Sequence, residues 1–174
     1  VYLKALEEGY EPYSVVVNDF VAYGKWAPKN FDGRYTFNST LVNSLNLSLN
    51  IPAVKLMDAV TVDAFKEEMT DKLKLTSEVQ NLTTALGSVD STPVNTAANF
   101  SIFVNGGYIV KPNIIREIRD NQDILIYVAD IEKVKAFDSV DVSVITAMLK
   151  SVVSNGTATK ARVVDKSGRP IQQG

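Results

Sequence analysis

Histidine and cysteine are both missing from the 174 residues. Without histidine there is no Ser-His-Asp triad, no imidazole general base and no nitrogen ligand of the usual kind for zinc. Without cysteine there is no thiolate nucleophile and no Cys-ligated metal. Any catalysis would use Ser, Thr, Lys, Tyr or carboxylates. The lack of Cys carries no message about compartment, because it removes the disulfide question altogether. Excess positive charge is missing too: the formal net charge is −2, with 45% hydrophobic and 22% charged residues, which argues against attraction to nucleic acid or anionic lipid. No run approaches the roughly eighteen apolar residues of a membrane span. The opening VYLKALEEGY has none of the charge-then-apolar layout of a signal peptide, so an anchor or export signal is expected to lie outside this sequence. The length suits one domain, or one core with a smaller lobe.

What is present alternates between helical and extended signals. Val1 to Glu8 reads as the tail of a helix with Leu3 and Leu6 on one face, stopped by Gly9. VVVND, Val15 to Asp19, reads as extended, and Gly24, Pro28, Asn30 and Gly33 punctuate an aromatic loop. A helix is expected from about Asn38 to Asn46 and a second opening at Pro52. Thr61 reads as the N-cap of a third, exposed amphipathic helix with Val62, Phe65 and Met69 as its stripe; Lys66, Glu67, Glu68 and Lys72 read as its solvated face. Thr92-Pro93 opens a helix running to Gly106-Gly107, with Ala97, Phe100 and Val104 predicted to be buried. YIVKPNIIREIRD and LIYVAD predict two antiparallel strands joined at Asn121 to Asp123. Asp138 or Ser139 caps a last helix ended by Asn155 and Gly156. This mixture predicts an α+β fold.

One stretch raises a chemical question. SLNLSLNIPAV carries Ser-Leu-Asn twice, at Ser44 to Asn46 and Ser48 to Asn50. In one continuous helix the copies would lie on one face a turn apart. Pro52 interferes, because it disfavours helical geometry just before it and cannot donate an N–H. The second copy therefore falls between two helices, where Ser48 and Asn50 can point into a cleft; alternatively either one simply caps the helix near Pro52. Ser44 and Asn46 read as a solvated helix face.

Here the residues resemble a family. Ser-x-Asn ahead of Ile-Pro-Ala-Val resembles the second active-site motif of penicillin-binding proteins, in particular the transpeptidase domain of the bifunctional, class A peptidoglycan synthases. ALEEGYEP is similar to the helix that follows the family's nucleophile, WAPKNFDGRY to its Trp-x-Pro-x-Asn-aromatic segment, and Thr40-Leu41 to its Thr-Leu-Arg. ALGSVDSTPVNTAANFSIFVNGGYIVKP matches the family's Ala-Leu-Gly, Thr-Pro, Phe-x-Asn-Gly-Gly and downstream Pro in order, and SNGTATKA its Gly-Thr-Ala. The ordered set covers nearly the whole chain. Departures are Phe37, where Gly is usual, Val42, where Arg is usual, and the lack of an Ala-Leu-Ala before the serine.

The resemblance implies a penicillin-binding-protein/β-lactamase-like fold, mostly its helical subdomain plus part of the sheet framework. It also implies that residues 1–174 form one partial transpeptidase domain, cut at both ends. The family's Ser-x-x-Lys would lie just upstream and its Lys-Thr-Gly just downstream. No serine here has a lysine three residues on; TATK, Thr157 to Lys160, has the spacing with a threonine and reads as a turn. By resemblance, Ser48 would be a relay hydroxyl beside the absent lysine, and Asn50 would orient that lysine and bind a stem-peptide amide. Trp26 either stacks on substrate or packs as a lid over the core; Thr157 either lines the cleft or is a turn residue. The implied partners are the D-Ala-D-Ala stem peptide of peptidoglycan and β-lactam antibiotics, with no nucleic acid, and with membrane contact only through segments outside this chain. The implied location is extracytoplasmic. No metal or organic cofactor is implied. The rivals are a DD-carboxypeptidase or β-lactamase relative, and a non-catalytic scaffold that keeps the architecture. Asn-x-Ser/Thr triplets at Asn38, Asn46, Asn81, Asn99 and Asn155 are too common by chance to read as glycosylation.

Overall fold

The computed structural model describes residues 1–73, 81–169 and 171. Helix α1 (Tyr2–Glu7) ends where expected: Gly9 takes φ +90, and the Gly9 and Tyr10 amides donate back to Leu6 and Ala5. Strand β1 (Val15–Asn18) pairs antiparallel with β2 (Phe37–Thr40), Val15 opposite Thr40. Residues 38–40, predicted to be helical, are thus extended. Three ladder positions hold them against β1, and Thr40 then caps helix α2 (Leu41–Asn46), its side chain accepting from the Asn43 amide. Phe37 opens β2 at φ +63, a left-handed backbone. That is the position where the resembled pattern carries Gly, which adopts it without a Cβ penalty.

Helix α3 (Asn50–Ala59) runs through the middle of the domain, with Ile51, Val54, Leu56 and Met57 at most 1% exposed. Each such side chain contributes about 1.5–3 kcal/mol on leaving water. It packs against β1, α1 and α2, and α6 (Ser139–Asn155) lies along α1 and α2, with Leu41, Val142, Ile145 and Met148 in the shared core. As the sequence predicts, Asp138 caps α6, its carboxylate accepting from the Val140 amide.

Helix α4 (Val62–Leu73) begins after Thr61, whose hydroxyl accepts from the Ala64 amide, and buries Phe65 and Met69. Its predicted solvated face needs correction. Glu68 and Lys72 have side chains only 22% and 29% exposed. Glu68 is paired with Lys72 and, at 2.6 Å, with Lys4 of α1, which also meets Glu8 at 2.8 Å. The hydrogen bonds it donates to Glu68 and Glu8 hold the Lys4 ammonium above its ordinary range. Burial would raise Glu68, but the hydrogen bonds from Lys4 and Lys72 hold it below the ordinary range. Nearby Glu7 is raised by burial and by the Glu68 charge, and its Oε2 is buried with no partner among the described residues.

Helix α5 (Pro93–Phe100) has the predicted cap, Thr92 accepting from the Asn95 amide, and the predicted proline start. Its burial differs from expectation: Ala97, Phe100 and Val104 are exposed, and Ile102 is the core residue. The α-helix gives way at Ser101–Phe103 to a 3-10 turn, which has three residues per turn and so rotates the following side chains off the α-helical stripe. Gly107 then takes φ +92, and a Cβ there would lie 2.4 Å from the Phe137 carbonyl oxygen, so the close approach needs glycine. YIVKPNIIREIRD is not one strand. It splits at Pro112 into β3 (Tyr108–Val110), which pairs with β6 (Lys133–Lys135), and β4 (Glu117–Arg119), which pairs with β5 (Leu125–Val128). Among the described residues no helix is long and apolar enough to cross a membrane.

Candidate active site

The two Ser-Leu-Asn copies flank a break between α2 and α3. Helix α2 stops at Leu47, and Ser48 turns the chain at φ +53, with the Leu49 amide donating to the Ser44 carbonyl at 2.9 Å. This is the left-handed residue that follows many helices and is usually glycine. Leu49 is extended and α3 begins at Asn50, so Pro52 sits in the first turn, where a missing N–H goes unnoticed.

The copies occupy opposite environments. Ser44 is fully buried, its hydroxyl without a partner among the described residues, and Asn46 is half-buried, its side-chain amide donating to Ser151 Oγ at 2.9 Å. Neither belongs to a solvated face, because six-residue α2 packs along α6. Ser48 is exposed and its hydroxyl makes no hydrogen bond among the described residues. Together with Leu49, Asn50 and Ala53 it lines a cleft of about 220 Å³, which Ser44 and Leu45 of α2, Ala85 and Leu86 of the Ala-Leu-Gly segment, and Tyr2 complete. Burial raises the Tyr2 phenol, which stays protonated.

Neither Ser48 nor Asn50 caps α3 with its side chain, contrary to the simplest reading of the sequence, and the N-cap residue Leu49 has no polar side chain. The acceptor comes from twenty residues upstream. Asn30 Oδ1 receives the Asn50 amide at 3.0 Å and the Ile51 amide at 3.3 Å. Asn30 Nδ2 in turn donates to Asn18 Oδ1 at 2.8 Å and to the Arg34 carbonyl at 2.7 Å, and Asn18 Nδ2 donates to Thr36 Oγ1. Asn18 and Asn30 are 0% and 4% exposed. Asn50 Nδ2 donates to the Lys29 carbonyl at 2.8 Å, and its Oδ1 has no hydrogen-bond partner among the described residues. Asn30 stands in the Trp-x-Pro-x-Asn segment, the one signal in the sequence that pointed to it.

Thr157 is exposed and does not line this cleft, but it is tied to its edge: its amide donates to the Asn46 carbonyl at 3.0 Å. Gly156 permits the approach, since a Cβ there would lie 2.4 Å from that same carbonyl oxygen. Trp26 is not brought together with Ser48. It closes a turn on Tyr23, ring centroids 6.1 Å apart, and the Tyr23 hydroxyl donates to Asp58 at 3.1 Å. Asp58 lies about 12 Å along α3 from Asn50. Burial and the Asp58 carboxylate push the Tyr23 phenol up to about 12.

A family profile described as "Penicillin binding protein transpeptidase domain" matches residues 1–172. Among curated proteins, the chain is 30% identical to penicillin-binding protein 1A of Neisseria flavescens, over 96% of this chain and 23% of that protein. It is 31% identical to penicillin-binding protein 1A of Aquifex aeolicus (strain VF5), over 95% and 24% respectively. The chain thus spans under a quarter of these relatives. Among solved structures, penicillin-binding protein 1A from Haemophilus influenzae superposes with a TM-score of 0.86 at 21% identity, covering 96% of this chain and 32% of that one. An imipenem acyl-enzyme complex of penicillin-binding protein A from M. tuberculosis superposes with a TM-score of 0.79 at 16% identity, covering 88% and 41%.

Proposed function

The chain belongs to the penicillin-binding protein transpeptidase family, and from that premise we propose that it supplies the Ser-x-Asn wall of a peptidoglycan DD-transpeptidase of the bifunctional, class A type. The observation that carries the reading is the contrast within the repeat: both serines border the cleft, but Ser48 is exposed on a left-handed backbone beside Asn50, while Ser44 is fully buried. A hydroxyl kept where glycine would be less strained invites a functional explanation.

In the proposed reaction a serine nucleophile attacks the carbonyl of the penultimate D-Ala, the terminal D-Ala leaves with a proton on its amine, and the acyl group passes to a neighbouring stem amine. The nucleophile, with a lysine three residues on as its base, is not in this sequence and would come from another part of the polypeptide. Ser48 accepts a proton from that lysine side and gives one to the leaving amine, which a hydroxyl can do because it both donates and accepts. Asn50, one N–H committed to Lys29, offers its carbonyl to the lysine and its second N–H to a stem-peptide carbonyl. β-Lactams acylate the same serine as substrate mimics. Such chemistry belongs on the extracytoplasmic side of a bacterial membrane, with Trp26 and Thr157 as outer contacts to the substrate.

The test is the intact mass of the longest natural polypeptide containing this sequence, with and without a labelled penicillin, in the wild type, Ser48→Ala and Ser44→Ala. One adduct on the wild type, formed far more slowly in Ser48→Ala than in Ser44→Ala, is the expected result. No adduct on the wild type would leave a non-catalytic scaffold instead, and equal rates in the two variants would remove the distinction between the copies.

A further inference from the structure

We propose that Asn30 is a positioning residue for the Ser-x-Asn wall, acting as an N-cap supplied to α3 from a separate segment of the chain. The inference rests on the functional reading above for its kinetic consequence, though not for its structural one.

A helix leaves its first N–H groups without intrahelical acceptors, and a buried N–H without a partner is costly. At α3 the local chain offers no side-chain acceptor, since Leu49 precedes Asn50 and no side-chain cap bond forms. Asn30 Oδ1 takes both the Asn50 and Ile51 amides, and its Nδ2 gives both protons to fixed acceptors, Asn18 Oδ1 and the Arg34 carbonyl. All four hydrogen-bonding sites of the carboxamide are therefore used, inside a site 4% exposed. Aspartate would keep the two acceptor contacts but would set oxygen lone pairs against Asn18 Oδ1 and the Arg34 carbonyl. Alanine would abandon all four partners.

The neighbouring carbonyl, Lys29 O, holds the Asn50 side chain. One dipeptide, Lys29-Asn30, thus fixes both the backbone and the carboxamide of Asn50, and Asn18 fastens that dipeptide to β1. Ser48, two residues before Asn50, is left-handed, and such a conformation persists only when the chain on both sides over-determines it. On the α2 side the Leu49 amide bond to Ser44 does so; on the α3 side it is the Asn30 cap.

The experiment compares wild type, Asn30→Ala and Asn30→Asp with Asp138→Ala, which removes the N-cap of α6, a residue that does not line the cleft. Two readouts are taken on the whole polypeptide: amide hydrogen exchange at Asn50 and Ile51, and the rate of acylation by labelled penicillin. In Asn30→Ala, exchange at those two amides rises roughly fivefold or more, and acylation falls roughly 10- to 100-fold, as displaced catalytic groups do. In Asn30→Asp, which keeps the acceptors, protection and part of the rate return. In Asp138→Ala neither changes. Unchanged exchange at Asn50 and Ile51 in Asn30→Ala overturns the cap; acylation that falls no further than in Asp138→Ala overturns the positioning role. A wild type that does not react with penicillin overturns the functional reading alone, and the exchange data then decide the cap.

Discussion

Replacing Ser48 with glycine is expected to make the chain more stable, and the size of the gain follows from the backbone. At φ +53 the Ser48 Cβ crowds the following carbonyl, a cost of roughly 1–2 kcal/mol for an L-residue. Glycine escapes that cost but adds freedom to the unfolded chain, which takes back roughly 0.4–1 kcal/mol. No packing has to be subtracted, since Ser48 is exposed and its hydroxyl has no partner among the described residues. The net expectation is a stabilisation of about 0.5–1 kcal/mol, or a rise of roughly 1–4 °C in Tm for a chain of this size. Ser48→Ala is the control, because it deletes the same hydroxyl and keeps the Cβ, so it should bring no comparable gain. Urea denaturation with an unchanged m-value measures both. A glycine variant no more stable than wild type, or an alanine variant stabilised as much as the glycine one, would refute the claim that the proposed relay serine sits on a strained backbone.

Gly156→Ala is expected to destabilise by roughly 1–3 kcal/mol, because its Cβ would fall 2.4 Å from the Asn46 carbonyl and 2.9 Å from the Val152 carbonyl, both backbone; the urea midpoint checks it. The acidic groups beside α1 give opposite pH dependences on either side of the ordinary glutamate value of 4.5. Glu68 is depressed in the fold, so its contribution is complete above 4.5 and is lost as pH falls through its lower folded value. Glu7 is raised, so the fold pays a penalty that grows as pH rises from 4.5 through its higher folded value. Glu68→Gln should flatten the stability profile below pH 4.5 and Glu7→Gln above it; thermal melts at stepped pH test this, and a Glu7→Gln variant that loses stability with rising pH as the wild type does would sink the assignment.

Local punctuation was legible in the sequence, and long-range partners were not. Thr92-Pro93 and Asp138 announce helix starts because a cap and a fixed φ act within one turn, and the turn at Asn121 to Asp123 announces the β4–β5 pair for the same reason. Residues 38–40 misled because their extended state depends on β1, more than twenty residues away. The stripe through Ala97, Phe100 and Val104 misled because helical spacing marks an apolar stripe without saying whether anything covers it, and beyond Phe100 the segment tightens to 3-10, which takes Val104 off that stripe. Glu68 and Lys72 have the charge spacing of a solvated face, and only the arrival of Lys4 from α1 turns them into a half-buried network. Asn18 and Asn30 could not be singled out by composition, since a buried carboxamide pair and two loop asparagines look alike until the chain is folded.

The same distinction explains how an identical tripeptide serves two ends. Spaced by four in an unbroken helix, both serines would share one face and both asparagines another. The left-handed turn at Ser48 ends that periodicity between the copies. The first copy stays on α2 and faces the interior: Ser44 packs against the core, while Asn46 clasps Ser151 and, through its carbonyl, Thr157. The second copy starts a new helix whose direction is set from outside by Asn30, and so its hydroxyl meets the cleft. Had α2 run on through Ser48, the Asn50 amide would have gone to Asn46 O, the acceptor that Thr157 now uses. Breaking the helix thus does two things at once: it frees the Asn46 carbonyl to anchor the end of α6, and it leaves the Asn50 amide to be claimed by Asn30.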